Sequence, residues 1–165
     1  MRKVLYLDMD ETFFKGCLWK IAKIEGYSWI EYTNNVLKIG KEFSSNLNII
    51  KKVVGSQYRI NRLKIWLKKL KKNGVIIHQL TTNYNLVTIP ILKKIGVYHL
   101  FDLPFFDRDY MKKKKYNKAD VITNNSGNQD KNLFLDDSLN NIIKANEKGI
   151  NTIYINTNNG ITPAI

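Results

Sequence analysis

Short apolar runs that each stop at a polar cluster constrain this chain most: Val4–Leu7 before Asp8, Val75–Leu80 before Thr81, and Asn132–Leu135 before Asp136. Val, Leu, Tyr and Leu in a row leave no polar face, so the first run reads as a strand buried on both sides. Helical patterns separate the runs. Leu63, Trp66, Leu67 and Leu70 form an i, i+3, i+4, i+7 stripe that predicts a helix over Arg59–Asn73, with lysines in its last turn and Gly74 as its stop. Further helices are expected over Leu86–Ile95, where Pro90 starts or kinks the helix, over Asn117–Thr123, and over Leu139–Lys148 before Gly149. Short strands are expected over Leu100–Phe106 and Thr152–Ile155. This alternation implies an α/β fold, a parallel sheet with helices on both faces. Ligands bind such sheets at the carboxyl ends of the strands, where Asp8, Thr81 and Asp136 should converge.

Residues 13–58 break the alternation. Apolar residues at helical spacing (Ile21, Ile24, then Trp29, Tyr32, Val36), glycine punctuation at Gly26 and Gly40, and a turn at Ser44-Ser45-Asn46 predict two or three short helices. The segment is too long for a bare loop and too short for a large domain. The expected organisation is a core of residues 1–12 and 59–165 with a small helical cap insert at 13–58; the alternative is added helical packing with no lid role. Trp19, Trp29 and Tyr32 read as the core of that insert rather than as a base-stacking platform.

With 165 residues, 44% of them hydrophobic and 12% aromatic, the chain is globular and not disordered. Cys17 is its one cysteine, which rules out an internal disulfide framework and suits a reducing compartment. Asp8 interrupts the first apolar run too early for a signal peptide, and no apolar stretch is long enough to span a bilayer. A cytoplasmic protein with no membrane partner is expected; oligomeric state is not legible. The net charge is +13, from 27 basic and 14 acidic residues. That balance suits a polyanionic partner such as nucleic acid. Yet Lys, Asn and Ile dominate, as A/T-rich codons would dictate, and the arginines that favour base recognition are few: Arg2, Arg59, Arg62 and Arg108. Compositional drift is therefore preferred over a nucleic-acid partner. The Lys112–Lys115 run is expected to be a solvated loop, or a lure for phosphorylated substrates.

Asp8-Met9-Asp10-Glu11-Thr12 carries the strongest chemical signal. Carboxylates two residues apart should leave the strand on one side, and their repulsion calls for a compensating cation. A hard divalent ion with oxygen ligands does this, and Mg2+ fits a site of few carboxylates and a substrate phosphate. Asp136-Asp137-Ser138 repeats the pattern and would supply the remaining ligands; alternatively Asp137 or Ser138 caps the next helix. Thr81-Thr82-Asn83 offers hydroxyls and free amides for an anion, or again a cap. A lysine is needed to offset charge on non-bridging oxygens, and Lys118 is preferred to Lys113 and Lys115 because Asn117-Lys118-Ala119-Asp120 resembles a helix start.

In this order the elements resemble the haloacid dehalogenase (HAD) superfamily. Leu5–Thr12 looks like its first motif, and Leu133–Ser138, followed by Ala145 and Gly149-Ile150, looks like its fourth. Ile95–Asp102 is similar to the stretch before the third strand of many members. The resemblance covers residues 1 to about 155 apart from the insert. It departs from the pattern at Phe13, where a smaller residue is common, and in lacking a Lys-Pro pair. It implies a Rossmann-like three-layer sandwich, Mg2+, and phosphoryl transfer to Asp8. Asp10 would protonate the leaving oxygen and then activate water, which distinguishes phosphatases from dehalogenases. Thr81 or Thr82, with Asn83, would bind phosphate, Lys118 would steady charge, and Asp136 with Asp137 would join Asp8 and Asp10 on the metal. A cap favours a small phosphorylated metabolite or nucleotide. The alternatives are a nucleic-acid end phosphatase, a protein phosphatase of the Asp-x-Asp-Glu-Thr type, and a non-catalytic phosphate- or nucleic-acid-binding module.

Overall fold

The computed structural model describes residues 1–156 and 159–164; positions 157, 158 and 165 of the expected core segment lie outside the described residues. Strands β1 (Lys3–Leu7), β2 (Val75–Gln79), β3 (Lys131–Asp136) and β4 (Asn151–Tyr154) form a parallel sheet in the order β2-β1-β3-β4. Strand alternation divides the core in two. Leu5 and Leu7 point into one cluster with Leu63 and Leu67 of α5 (Gln57–Lys72). Val4 and Tyr6 point into the other with Ala119 and Ile122 of α8 (Lys118–Asn125) and Ile142 and Ala145 of α9 (Leu139–Glu147). Each buried Leu, Val or Ile among them contributes about 1.5–3 kcal/mol by leaving water. The result is the expected α/β three-layer sandwich.

The insert holds four helices rather than two or three: α1 (Leu18–Ile24), α2 (Trp29–Asn34), α3 (Val36–Ser45) and α4 (Leu47–Val54). Its Ile39, Phe43 and Val53 share one hydrophobic cluster with Leu5, Leu7 and Leu63 of the core. Gly26 does end a helix, at φ 96°, but Gly40 does not punctuate; it lies inside α3. The reason is close packing against α6 (Asn85–Lys94), where a Cβ on Gly40 would stand 2.0 Å from the Leu86 carbonyl oxygen. Pro90 sits within α6 and has no N–H to bond Leu86, four residues earlier. The glycine backbone closes over that freed carbonyl.

The expected strand at Leu100–Phe106 is absent. A 3₁₀ turn covers Tyr98–Leu100, and only Phe106 bridges to Leu80. The Asp102 carboxylate takes the Ile77 N–H at 2.8 Å and pairs with Lys71, so a side chain fills the place of a strand partner. The Lys112–Lys115 run is not a loop either. It ends α7 (Arg108–Lys114), with Lys115 in the left-handed region at φ 57°.

Candidate active site

β1 lies between β2 and β3, so the residues after its end are flanked by Thr81 on one side and Asp136 on the other. The Asp8 N–H donates to the Leu135 carbonyl at 3.0 Å and Leu80 N–H to the Leu7 carbonyl at 2.8 Å, which holds the strand ends level. The chain then turns sharply, with Glu11 at φ 55°. Two contacts pin this turn from outside. Arg59 donates to the Phe13 and Ile161 carbonyls, both at 2.8 Å, and Ile161 N–H donates to the Thr12 carbonyl at 2.7 Å. Gly160, at φ 64°, lies so close that a Cβ there would meet the Thr12 oxygen at 2.6 Å.

The turn sends Asp8 and Asp10 to different partners. Lys118 Nζ bonds Asp8 Oδ1 and Asp136 Oδ2, each at 2.6 Å, and all three residues are buried. Asp136 also accepts from Ser138 N–H at 2.7 Å and from Asn141 at 3.1 Å, so neither the Asp137 nor the Ser138 side chain caps α9. Thr12 donates to Asp8 Oδ2 at 3.0 Å and lies 3.4 Å from Asp137 Oδ1. Carboxylate oxygens of Asp8, Asp136 and Asp137 come within 4.8 Å of one another, close enough to share a cation.

The carboxylate of Asp10 does not join them, contrary to the four-residue metal set read from the sequence. Its Oδ1 accepts the Leu18 N–H at 3.1 Å and its Oδ2 the Asn83 amide at 3.0 Å. Asn83 accepts in turn from the Tyr32 hydroxyl at 2.7 Å. Asn83 therefore positions Asp10, and its side chain is committed rather than open to phosphate. Thr81 is buried and its Oγ1 accepts from Asn83 N–H at 3.1 Å, leaving its own hydrogen to donate. Thr82 is exposed. Of the three candidate lysines, Lys113 and Lys115 are exposed and Lys118 alone reaches the carboxylates.

Burial pushes the Asp8 carboxyl well above its usual range; Lys118 opposes the shift and Asp136 adds to it. Burial also works against the charge on Lys118, but Asp8 and Asp136 outweigh it and hold it as an ammonium. Burial and Asp136 raise Asp137 as well, so a cation is what would hold all three carboxylates ionised; one ammonium against three such charges leaves two for it to balance. An oxygen-lined cluster with that excess fits Mg2+. Asp10 is raised to about 6, by burial against the Asn83 and Leu18 donors.

A cavity of about 220 Å³ opens beside Asp10, lined by Cys17, Trp19, Trp29, Tyr32, Thr82 and Arg108 among others. A second, of about 360 Å³, shares Thr82 and Arg108 and adds Lys112, Lys115, Lys118 and Asn141. Tyr32 is buried, but Trp29 is 41% exposed, so the aromatic group is not only core. Burial, then Asp10, pushes the Cys17 thiol up to about 11, which leaves it un-nucleophilic near neutrality. The sequence assigns no role to Thr12, Asn141 or Arg108, and reads Tyr32 as insert core. Thr12 stood inside the first motif; Asn141 and Arg108 carried no signal.

Comparison with solved structures finds the same architecture. A protein described as a dehalogenase is 15% identical, with 94% of this chain and 85% of that one aligned at a TM-score of 0.55. The fold is that of the HAD superfamily. The HAD-hydrolase YfnB from Bacillus subtilis, solved with magnesium, is 11% identical, covering 93% and 87% of the two chains at TM-score 0.53. A HAD family enzyme from Bacteroides thetaiotaomicron, in complex with magnesium and inorganic phosphate, is 16% identical, covering 93% of both chains at TM-score 0.50. No protein-family model and no curated protein matches the sequence. Among the described residues, no helix of this HAD fold is long and apolar enough to cross a membrane.

Proposed function

We propose that this chain is a magnesium-dependent phosphatase acting on a small phosphorylated metabolite or nucleotide through an aspartyl-phosphate on Asp8. The observation that carries the reading is the split of the first motif: Asp8 tied to Lys118 and Asp136, and Asp10 held apart by Leu18 and Asn83 with its pKa near 6. A halide needs no proton to leave, so a separate carboxyl suited to proton transfer favours an ester substrate. The HAD enzyme holding magnesium and phosphate supports the same direction.

Asp8 would attack phosphorus with one carboxylate oxygen as the bond to the ester oxygen breaks. Asp10 would give that oxygen its proton. Asp10 would then take a proton from water, whose oxygen attacks phosphorus, frees inorganic phosphate and restores Asp8. Lys118 would oppose the burial that disfavours ionised Asp8, and would offset charge on the phosphoryl oxygens. Asp8, Asp136 and Asp137 would hold Mg2+, which when bound neutralises phosphoryl charge.

Hydrolysis of an aryl phosphate should need magnesium, stop with chelator and vanish in Asp8→Asn. In Asp10→Asn, rapid acid quench and intact mass spectrometry should show an accumulated aspartyl-phosphate. Phosphate release at the wild-type rate by Asp10→Asn with no adduct would refute the assignment.

A further inference from the structure

The cavity beside Asp10 has a composition that bears on its occupant. Trp19, Trp29, Tyr32 and Tyr84 form its apolar walls. Trp29 and Tyr32 stack nearly parallel, at 18° and 5.9 Å, and Trp19 meets both edge-on. Arg108 lies over the Trp29 ring at 5.1 Å, and its Nε is buried with no acceptor. A buried donor without a partner calls for an explanation. Of the cavity's other polar groups, Asp10 is engaged by Leu18 and Asn83, and Asn83 by Asp10 and Tyr32, which leaves chiefly Thr82 and Arg108. A sugar with several hydroxyls would find too few partners there. At about 220 Å³ the space is below the roughly 300–1,000 Å³ of ordinary ligand pockets, which suits one ring rather than a long chain.

We propose that this cavity is a leaving-group subsite for a planar heteroaromatic ring with an acceptor on its edge, and that the substrate is a nucleoside monophosphate. The inference rests on the phosphatase reading for the chemistry, but the subsite is defined by its own walls. The ring would lie among Trp19, Trp29 and Tyr84, with an edge carbonyl or ring nitrogen accepting from Arg108. The phosphate would lie toward the neighbouring cavity, where Lys118, Lys112 and Lys115 supply positive charge. Thr82 and Arg108 line both cavities and would stand between ring and phosphate. Trp29 and Arg108 would thus set specificity.

Uridine 5′-monophosphate and ribose 5-phosphate carry the same phosphate ester and differ at the anomeric carbon, base against hydroxyl, so their kcat/KM ratio reports on the subsite. The expected ratio is about tenfold or more in favour of the nucleotide, the size of one base stacked on an aromatic side chain. Trp29→Ala and Arg108→Met should each bring that ratio toward one; Trp29 is 41% exposed, so its loss leaves the core intact. Binding is read separately by titrating uridine 5′-monophosphate against tryptophan fluorescence, since Trp19 and Trp29 are two of three tryptophans. Saturable quenching without hydrolysis of either ester would uphold the subsite and sink the phosphatase reading. Equal hydrolysis of both esters with no quenching would overturn the subsite and keep the phosphatase. A nucleotide preference that survives both variants would overturn it as well.

Discussion

The carboxylates of Asp8 and Asp10 stand two residues apart, yet they are supported by different parts of the molecule. Asp8 is held by elements of the sheet layer: Lys118 at the start of α8, Asp136 at the end of β3, and the strand-end hydrogen bonds. Asp10 is held by Leu18 from the insert and by Asn83, which the insert's Tyr32 fixes in turn. The first arrangement is a buried ion network, whose members are costly to remove singly. The second is a relay of neutral donors onto one carboxylate, whose members can be trimmed one at a time. The core therefore fixes Asp8, and the insert, through Leu18 and Tyr32, fixes Asp10.

Lys118→Met should show the largest effect. It leaves Asp8 and Asp136 buried and facing each other without their ammonium. Breaking a buried pair by deleting one partner costs about 3–5 kcal/mol of stability. Turnover should fall by roughly 10²–10³-fold or more, as for loss of one preorganised donor. Urea unfolding and steady-state kinetics measure both. Near-wild-type turnover would place the charge compensation elsewhere.

Asn83→Ala tests the other half. It strips Asp10 of one donor and leaves the Tyr32 hydroxyl without its acceptor. A hydrogen bond to a charged group contributes about 1.5–3 kcal/mol, or roughly ten- to a hundredfold in rate. The loss should fall on substrates with poor leaving groups and on hydrolysis of the intermediate. Phosphorylation of Asp8 by an activated aryl phosphate should change much less. If single-turnover measurements show both steps slowed alike, the two halves are not separable.

Gly40→Ala asks how firmly the insert is fixed to the core. The new methyl would stand 2.0 Å from the Leu86 oxygen, so α3 and α6 must part. Overpacking of this kind costs about 1–3 kcal/mol. In a chain of this size that lowers Tm by roughly 2–4 °C per kcal/mol. Differential scanning calorimetry would register it. An unchanged Tm would mean the insert shifts freely on α6.

The sheet was legible because its strands are apolar runs bounded by polar clusters, and Asp8, Lys118 and Asp136 converge where strand ends must converge. The place of Asp10 was not, because it depends on the left-handed turn at Glu11 and on a hydrogen bond to Asn83 that spans 73 positions. No local pattern encodes such a contact. Gly40 misled for a related reason: a glycine serving close helix approach looks in sequence like one that ends a helix. The missing strand at Leu100–Phe106 failed because the Asp102 side chain, not a backbone partner, satisfies the Ile77 N–H.

The smallest expected effect concerns pH and lies wholly on the core side of the comparison. His78 packs against Tyr6 and Phe106, with ring centroids 5.4 and 5.6 Å away, and its Nδ1 lies 3.1 Å from the Asp102 carbonyl. Burial lowers its pKa below the ordinary 6.5; the Asp102 and Pro104 carbonyls and the Asp102 carboxylate oppose the shift, and Lys71 adds to it. A depressed folded-state pKa means the folded chain favours neutral imidazole. The associated stability is present above pH 6.5, the unfolded value, and is lost as pH falls through the folded value. His78→Phe keeps the ring packing and removes the titration. It also removes a donor to the Asp102 and Pro104 carbonyls, so the variant should be less stable at pH 7.5, by about 0.5–1.5 kcal/mol. On acidification below 6.5 the wild type should lose stability faster, and the gap between the two should narrow. Urea unfolding at a series of pH values reads the difference directly, and other titrating groups cancel between the two proteins. Curves that run parallel from pH 7.5 to 5 would show that His78 carries none of the acid sensitivity.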